Sequence, residues 1–143
     1  MTVIAYRNGQ MAADSSGWVG DTNAHTVWKV HRVGGGLVGG AGLVSPFENF
    51  VRWLKEGADE EEFPTGAYEA IVVDPTGRVT VWYGSGMPPI KSKDPYCAIG
   101  SGQDFALGAL HAGADARGAV KAAIRHTATV KGPIRVYKLR RDQ

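Results

Sequence analysis

Four side chains of this sequence have the types needed for nucleophilic chemistry: Thr2, Asp14, Lys29 and Ser101. Thr2 follows the initiator Met, and Thr is small enough for Met1 to be removed. The new terminal residue would then carry a hydroxyl nucleophile and, on the same residue, a free α-amine to accept its proton. Such an amine titrates near 7.7–8.0, close to neutrality. A neighbouring lysine ammonium would push it lower and favour the proton-accepting form. A carboxylate paired with that lysine would hold it in place. Lys29 and Asp14 supply those two groups. Taken singly, each has a plainer explanation. Thr is common at position 2, a lysine in an alternating strand usually faces solvent, and Asp14 could simply end a strand. Lys29 lies between Trp28 and Val30, which must share the opposite side. If the Trp28 side is solvent, Lys29 points inward and needs a carboxylate.

Acyl chemistry also calls for backbone N–H donors aimed at a developing oxyanion. Gly39-Gly40-Ala41-Gly42 offers a backbone nearly free of side chains, although a crowded sheet crossing would explain it equally well. In Gly100-Ser101-Gly102, Ser101 could cap a following helix or could hydrogen-bond the N-terminal amine. The segment is not a G-x-S-x-G elbow, and no GxxxxGK[ST] phosphate loop is present. The four histidines and the lone Cys97 form no metal-ligand spacing, so no metal or cofactor is expected, and Cys97 reads as a core residue.

The elements that position these residues follow from pattern. Residues 2–7 and 10–14 read as strands around an Asn8-Gly9 turn, and 15–26 as a polar loop. Residues 27–33 alternate as a strand, Gly34-Gly35-Gly36 turns the chain, and Leu37 to Ala41 is a short buried strand. Ser45 as N-cap and Pro46 as first helical residue open a helix with Phe47, Phe50, Val51 and Leu54 at helical spacing, closed by Gly57. The acidic run in 58–64 is a surface connection. Residues 67–73 and 78–83 form a second hairpin around Asp74-Pro75-Thr76-Gly77, and 84–95 is irregular. Tyr96 to Ile99 is a strand, 103–112 a helix, 116–127 a second helix capped by Asp115, and 134–139 a last strand. Two sheets with helices segregated to the outside is the natural packing for this order.

At 143 residues with 43% hydrophobic and 21% charged content, the chain fits one globular domain spanning 1–143. A net charge of +2 calls for no nucleic-acid partner. The basic residues Lys138, Arg140 and Arg141 read as a solvated tail. A single cysteine excludes an internal disulfide and fits a reducing, cytoplasmic location. The N-terminus lacks a signal-peptide pattern, and no apolar run approaches the roughly 18 residues a membrane span needs.

Five pieces in order, Thr2-Val3-Ile4-Ala5, Met11-Ala12-Ala13-Asp14-Ser15, Val27-Trp28-Lys29-Val30, Val38-Gly39-Gly40-Ala41-Gly42 and Ala98-Ile99-Gly100-Ser101-Gly102, resemble the proteasome-type N-terminal nucleophile (Ntn) hydrolases. The chain is similar to proteasome β-subunits and to the peptidase subunit of the bacterial ATP-dependent two-component protease. The resemblance implies an α+β, four-layer αββα sandwich, here with a shortened helical layer because 58–66 is too brief for the usual second helix. It implies a threonine endopeptidase acting on a peptide or protein substrate, with Thr2 as nucleophile, Asp14 and Lys29 in the carboxylate and lysine roles, and Ser101 beside the amine. It places the oxyanion donor at the Gly42 N–H and a pocket-lining position at Gly40, which implies a roomy first specificity pocket. It further implies a homo-oligomer, possibly a ring, and a possible ATP-dependent unfoldase partner. No propeptide precedes Thr2, so maturation is expected to need only methionine removal. The chain departs from the family at 125–133, where the acid often found there is missing and Thr127 or Thr129 would substitute. That departure keeps two alternatives open: a catalytically silent structural subunit, and an Ntn amidohydrolase acting on a small amide.

Overall fold

The computed structural model describes residues 1–140; Arg141 of the basic cluster lies outside the described residues. Strands β1 (Ile4–Arg7) and β2 (Gln10–Ala13) form the expected hairpin. Its turn residues Asn8 and Gly9 both have positive φ, 50° and 76°, which asparagine and glycine tolerate best. Next come β3 (Ser16–Val19), β4 (Thr22–Thr26), β5 (Val30–Val33), β6 (Gly36–Gly42) and helix α1 (Val44–Lys55), then a 3-10 turn at Glu60–Glu62. The remainder is β7 (Tyr68–Val73), β8 (Val79–Tyr83), β9 (Ile90–Lys91), β10 (Tyr96–Ile99), α2 (Gln103–His111), α3 (Ala116–His126) and β11 (Arg135–Lys138).

One sheet has the order β10-β1-β2-β11 and the other the order β5-β6-β7-β8-β9. Three apolar clusters mark three interfaces. Val3, Ala5 and Ala12 of the first sheet pack on Leu110, Val120 and Ala123 of α2 and α3. Ile4, Met11, Leu37 and Ile71 fill the space between the sheets. Val38 and Ala70 of the second sheet pack on Phe47, Phe50 and Trp53 of α1. The result is a four-layer αββα sandwich with two helices on one outer face and one on the other. The alternation of β1 produces this division: Ile4 faces the other sheet while Val3 and Ala5 face the helices.

Several boundaries differ from the sequence reading. Residues 15–26 are not a loop but the β3–β4 hairpin, paired from Ser16↔Thr26 to Val19↔Thr22 with an irregularity at Gly17/Trp18. The outer strand, Thr22–Thr26, is exposed along its whole length, so it has no buried face to impose an apolar alternation. Lys29 sits just before β5, yet the ladder reaches it, since the Gly40 N–H donates to the Lys29 carbonyl at 3.0 Å. Helix α1 starts at Val44 after Leu43, and Ser45 is inside it rather than its cap. Pro46 is then the third helical residue, where the missing N–H costs no intrahelical bond. Within 84–95, Ile90–Lys91 adds a two-residue edge to β8. Asp115 does cap α3, accepting the Gly118 N–H at 2.8 Å. Cys97 is partly buried against the inter-sheet cluster. Burial, with the Asp94 charge added, pushes its thiol up to about 12.

Gly40 determines how closely α1 approaches β6. A Cβ placed there would lie 2.1 Å from the Phe47 ring, far inside van der Waals contact. Gly40→Ala should therefore destabilise the fold by about 1–3 kcal/mol, and its added cost should shrink in a Phe47→Ala background, where the clashing ring is gone. Urea denaturation of the three variants checks this. Equal stability of Gly40→Ala and the parent would contradict the close approach.

Candidate active site

Thr2, Asp14, Lys29 and Ser101 come together where four strand ends meet. Thr2 precedes β1 and Asp14 follows β2. The hairpin register, Ile4↔Ala13, sets Val3 opposite Asp14. Ser101 follows β10, whose Ile99 pairs with Ile4, and the Gly102 N–H donates to the Thr2 carbonyl at 3.1 Å. Lys29 enters from the other sheet, ahead of β5. Trp28 is 47% exposed and Lys29 only 7%, so the lysine is turned inward. Val30, expected on the solvent side with Trp28, is 3% exposed and belongs to the inter-sheet cluster, so exposure does not alternate along this segment.

The Lys29 ammonium donates to Thr2 Oγ1 at 3.0 Å, to Asp14 Oδ1 at 3.0 Å and Oδ2 at 3.1 Å, and to the Met1 carbonyl at 3.1 Å. Three N–H bonds serve four acceptors, so the two carboxylate oxygens share. Burial lowers the Lys29 pKa from its ordinary value, and the Asp14 charge and hydrogen bond oppose that shift. Asp14 is itself held. Its Oδ1 accepts from the Val3 N–H at 3.0 Å, and its Oδ2 accepts from the Ser16 N–H at 3.1 Å and from Ser16 Oγ. Ser101 Oγ accepts the Thr2 N–H at 3.0 Å. It makes no helix cap, because α2 begins from Gly102 without a side-chain cap.

The Met1 amine is pushed below its ordinary value of 8.0, first by burial and then by the Lys29 charge, with Asp14 opposing.

Gly40 and Gly42 line the same cleft as Thr2 and Lys29, a cavity of about 220 Å³. Gly42 has φ +109°, and a Cβ there would lie 2.4 Å from the Ala67 carbonyl oxygen. Only glycine suits that backbone. The room expected at Gly40 is not open, because the Phe47 ring fills it. Of the two threonines near the missing acid, Thr129 Oγ1 lies 3.5 Å from Ser101 Oγ. Thr127 Oγ1 is buried without a partner.

Sequence reasoning missed two supports. Ser16 braces Asp14 through a local i, i+2 contact, a pattern visible in Asp14-Ser15-Ser16. Glu69 of β7 accepts the Gly100 N–H at 3.1 Å and so ties the Ser101 turn to the second sheet. That link joins residues 31 apart and has no local signal.

No family model matches the chain, and no curated protein matches it. Solved structures do. HslV from Trypanosoma brucei aligns at TM-score 0.75 and 21% identity, over 96% of this chain and 98% of that one. The bacterial proteasome homologue BPH of Thiobacillus denitrificans, solved in complex with epoxomicin, aligns at TM-score 0.63 and 19% identity, over 97% and 98%. A second structure of that protein aligns at TM-score 0.62 and 21% identity, over 99% of each chain. The chain has the Ntn-hydrolase fold of HslV and the proteasome homologues.

Removing Asp14 deprives a buried cation and three further donors of their acceptor, whereas removing Lys29 leaves Asp14 with three hydrogen bonds. Asp14→Ala should cost about 3–5 kcal/mol and Lys29→Met distinctly less, both read by urea denaturation. The reverse order would refute this account of the pair.

Proposed function

We propose that this chain is a threonine-type peptidase whose nucleophile is Thr2 after removal of Met1. The observation that supports it most directly is the pair of 3.0 Å contacts on one residue, Lys29 Nζ to Thr2 Oγ1 and Thr2 N to Ser101 Oγ. Loss of Met1 also removes one acceptor from Lys29, leaving its three protons for Asp14 and the threonine hydroxyl.

In this reading Thr2 Oγ1 attacks the carbonyl carbon of the scissile bond as its proton passes to the neutral α-amine of the same residue. The Lys29 charge stabilises the developing alkoxide, and Asp14 fixes Lys29. The Gly42 N–H stabilises the tetrahedral oxyanion. Collapse breaks the C–N bond, and the ammonium returns its proton to the leaving nitrogen. Water then attacks the ester, giving a proton to the amine and expelling Thr2 Oγ1, which recovers it. Ser101, itself within 3.5 Å of Thr129, orients the amine. The same chemistry would serve a small amide, but a cleft open beside exposed Trp28, Leu43 and Val44 suits an extended peptide better. A catalytically silent structural subunit is the second reading. It is favoured by the surroundings of Ser101 Oγ, whose partners among the described residues are the Thr2 backbone and the Thr129 hydroxyl and include no acid.

In mature protein, a peptidyl epoxyketone should add its mass at Thr2, and Thr2→Ala should abolish the adduct while the fold persists. The amine must be neutral to act, so labelling falls as pH drops through its pKa. The Lys29 ammonium lies 3.0 Å from Oγ1 of the same threonine and disfavours a second positive charge beside it, so the midpoint should lie below that of an ordinary α-amine. Retained Met1 with no adduct would support the silent subunit. An adduct that survives Thr2→Ala would exclude Thr2 as nucleophile.

Homo-oligomerisation belongs to the same proposal. Val19, outside the cleft wall, is 61% exposed, and the β3–β4 hairpin that carries it has a wholly exposed outer strand. Light scattering should give a mass several times 15.2 kDa; a monomer at micromolar concentration would refute assembly through these residues.

A further inference from the structure

We infer that the cleft beside Thr2 takes a peptide residue with a long cationic side chain, lysine or arginine, immediately on the acyl side of the bond that is cut. This rests on the assignment of Thr2 as nucleophile and adds the class of side chain the site selects. Two charged side chains line the cleft, Lys29 and Glu48. They differ in what remains for a ligand. The Lys29 charge is matched at once by both Asp14 oxygens, at 3.0 and 3.1 Å, and its residue is 7% exposed. Glu48, on α1, has a side chain that is 41% exposed. One of its oxygens meets His31 Nε2 at 3.1 Å, and the carboxylate makes no other hydrogen bond or ion pair among the described residues.

Much of the rest of the wall is apolar, with Val27, Val44 and Phe47 among its lining residues. The Phe47 ring also occupies the space left by Gly40, so the floor is an aromatic surface rather than a deep hole. A lysine or arginine suits such a wall. Its methylene stem lies against apolar groups while its charged head stays in partly wet surroundings, here beside Glu48. An aspartate or glutamate in the same place would bring two carboxylates together and be rejected. Arg135 stacks 4.1 Å over the Trp28 ring and is not part of the cleft wall.

The test uses mature protein and three peptidyl epoxyketones that differ only in the residue next to the reactive group: arginine, leucine or aspartate. The rate of Thr2 modification is followed by intact mass. A half-exposed ion pair with apolar support should make arginine react about tenfold faster than leucine, equivalent to about 1.4 kcal/mol, with aspartate slowest. In Glu48→Gln the arginine-to-leucine ratio should fall to about one, and in Glu48→Lys aspartate should overtake arginine. Because each readout is a ratio within one variant, a general loss of reactivity cancels. Leucine or aspartate as the fastest probe on the parent chain, or an unchanged ratio in Glu48→Gln, overturns the selectivity alone. Failure of all three probes to modify Thr2 overturns the nucleophile assignment and this inference with it.

Discussion

The site depends on one buried cation and its counter-ion. Taking a lone ammonium out of water costs several kcal/mol unless a partner of good geometry meets it. Lys29 meets Asp14 through both carboxylate oxygens, and Asp14 is in turn satisfied by two backbone N–H groups and a serine hydroxyl. Nothing in this set is spare. The donors come from the start of β1 and from the turn after β2, so the first hairpin must close in register before the carboxylate is correctly placed. The cation comes from the second sheet. The ion pair is therefore also a clamp across the seam between the two sheets, and the hydroxyl of Thr2 lies within its field.

That seam explains why the inter-sheet packing matters for chemistry. Thr2, Asp14 and Ser101 sit on one sheet, and Lys29, Gly40 and Gly42 on the other. Ile4 and Met11 press directly on β6, close enough that a Cβ on Gly39 would lie 2.7 Å from each. The glycine run thus has three structural duties before any ligand is considered. At 39 it lets the sheets approach, at 40 it admits the Phe47 ring, and at 42 it permits a positive φ. Sheet spacing, helix position and the candidate oxyanion donor are set by neighbouring residues of one strand.

Much of this arrangement was legible in the sequence because its signals are local. The Asn8-Gly9 turn and the Asp115 cap each follow from a few adjacent residues, whereas the inward turn of Lys29 was conditional on which side of its strand faced solvent. Two sheets with helices outside them follow from the order of strands and helices and from asking what must cover the apolar faces, whereas the four-layer stacking was implied by the family resemblance. The β3–β4 hairpin escaped because its outer strand buries nothing, and strand patterns are read from burial. The start of α1 escaped because a serine followed by a proline imitates a cap, while the chain had already entered the helix. In the site, Ser101 had two local explanations, and only the long-range pairing of β10 with β1 chose between them. Glu69 and Thr129 reach their positions entirely through tertiary folding.

Met1 lines the cleft beside Lys29 and also a second depression, bounded by Tyr68, Glu69 and Tyr83, on the far side of Thr2. Any residues appended ahead of it must leave through the same opening. Expression formats that add an uncleaved leader, an affinity handle or a fluorescent fusion at that end would plug the groove with their own chain. Under the Thr2 assignment, material made that way would fold and still be inert, because the α-amine of Thr2 would never be freed.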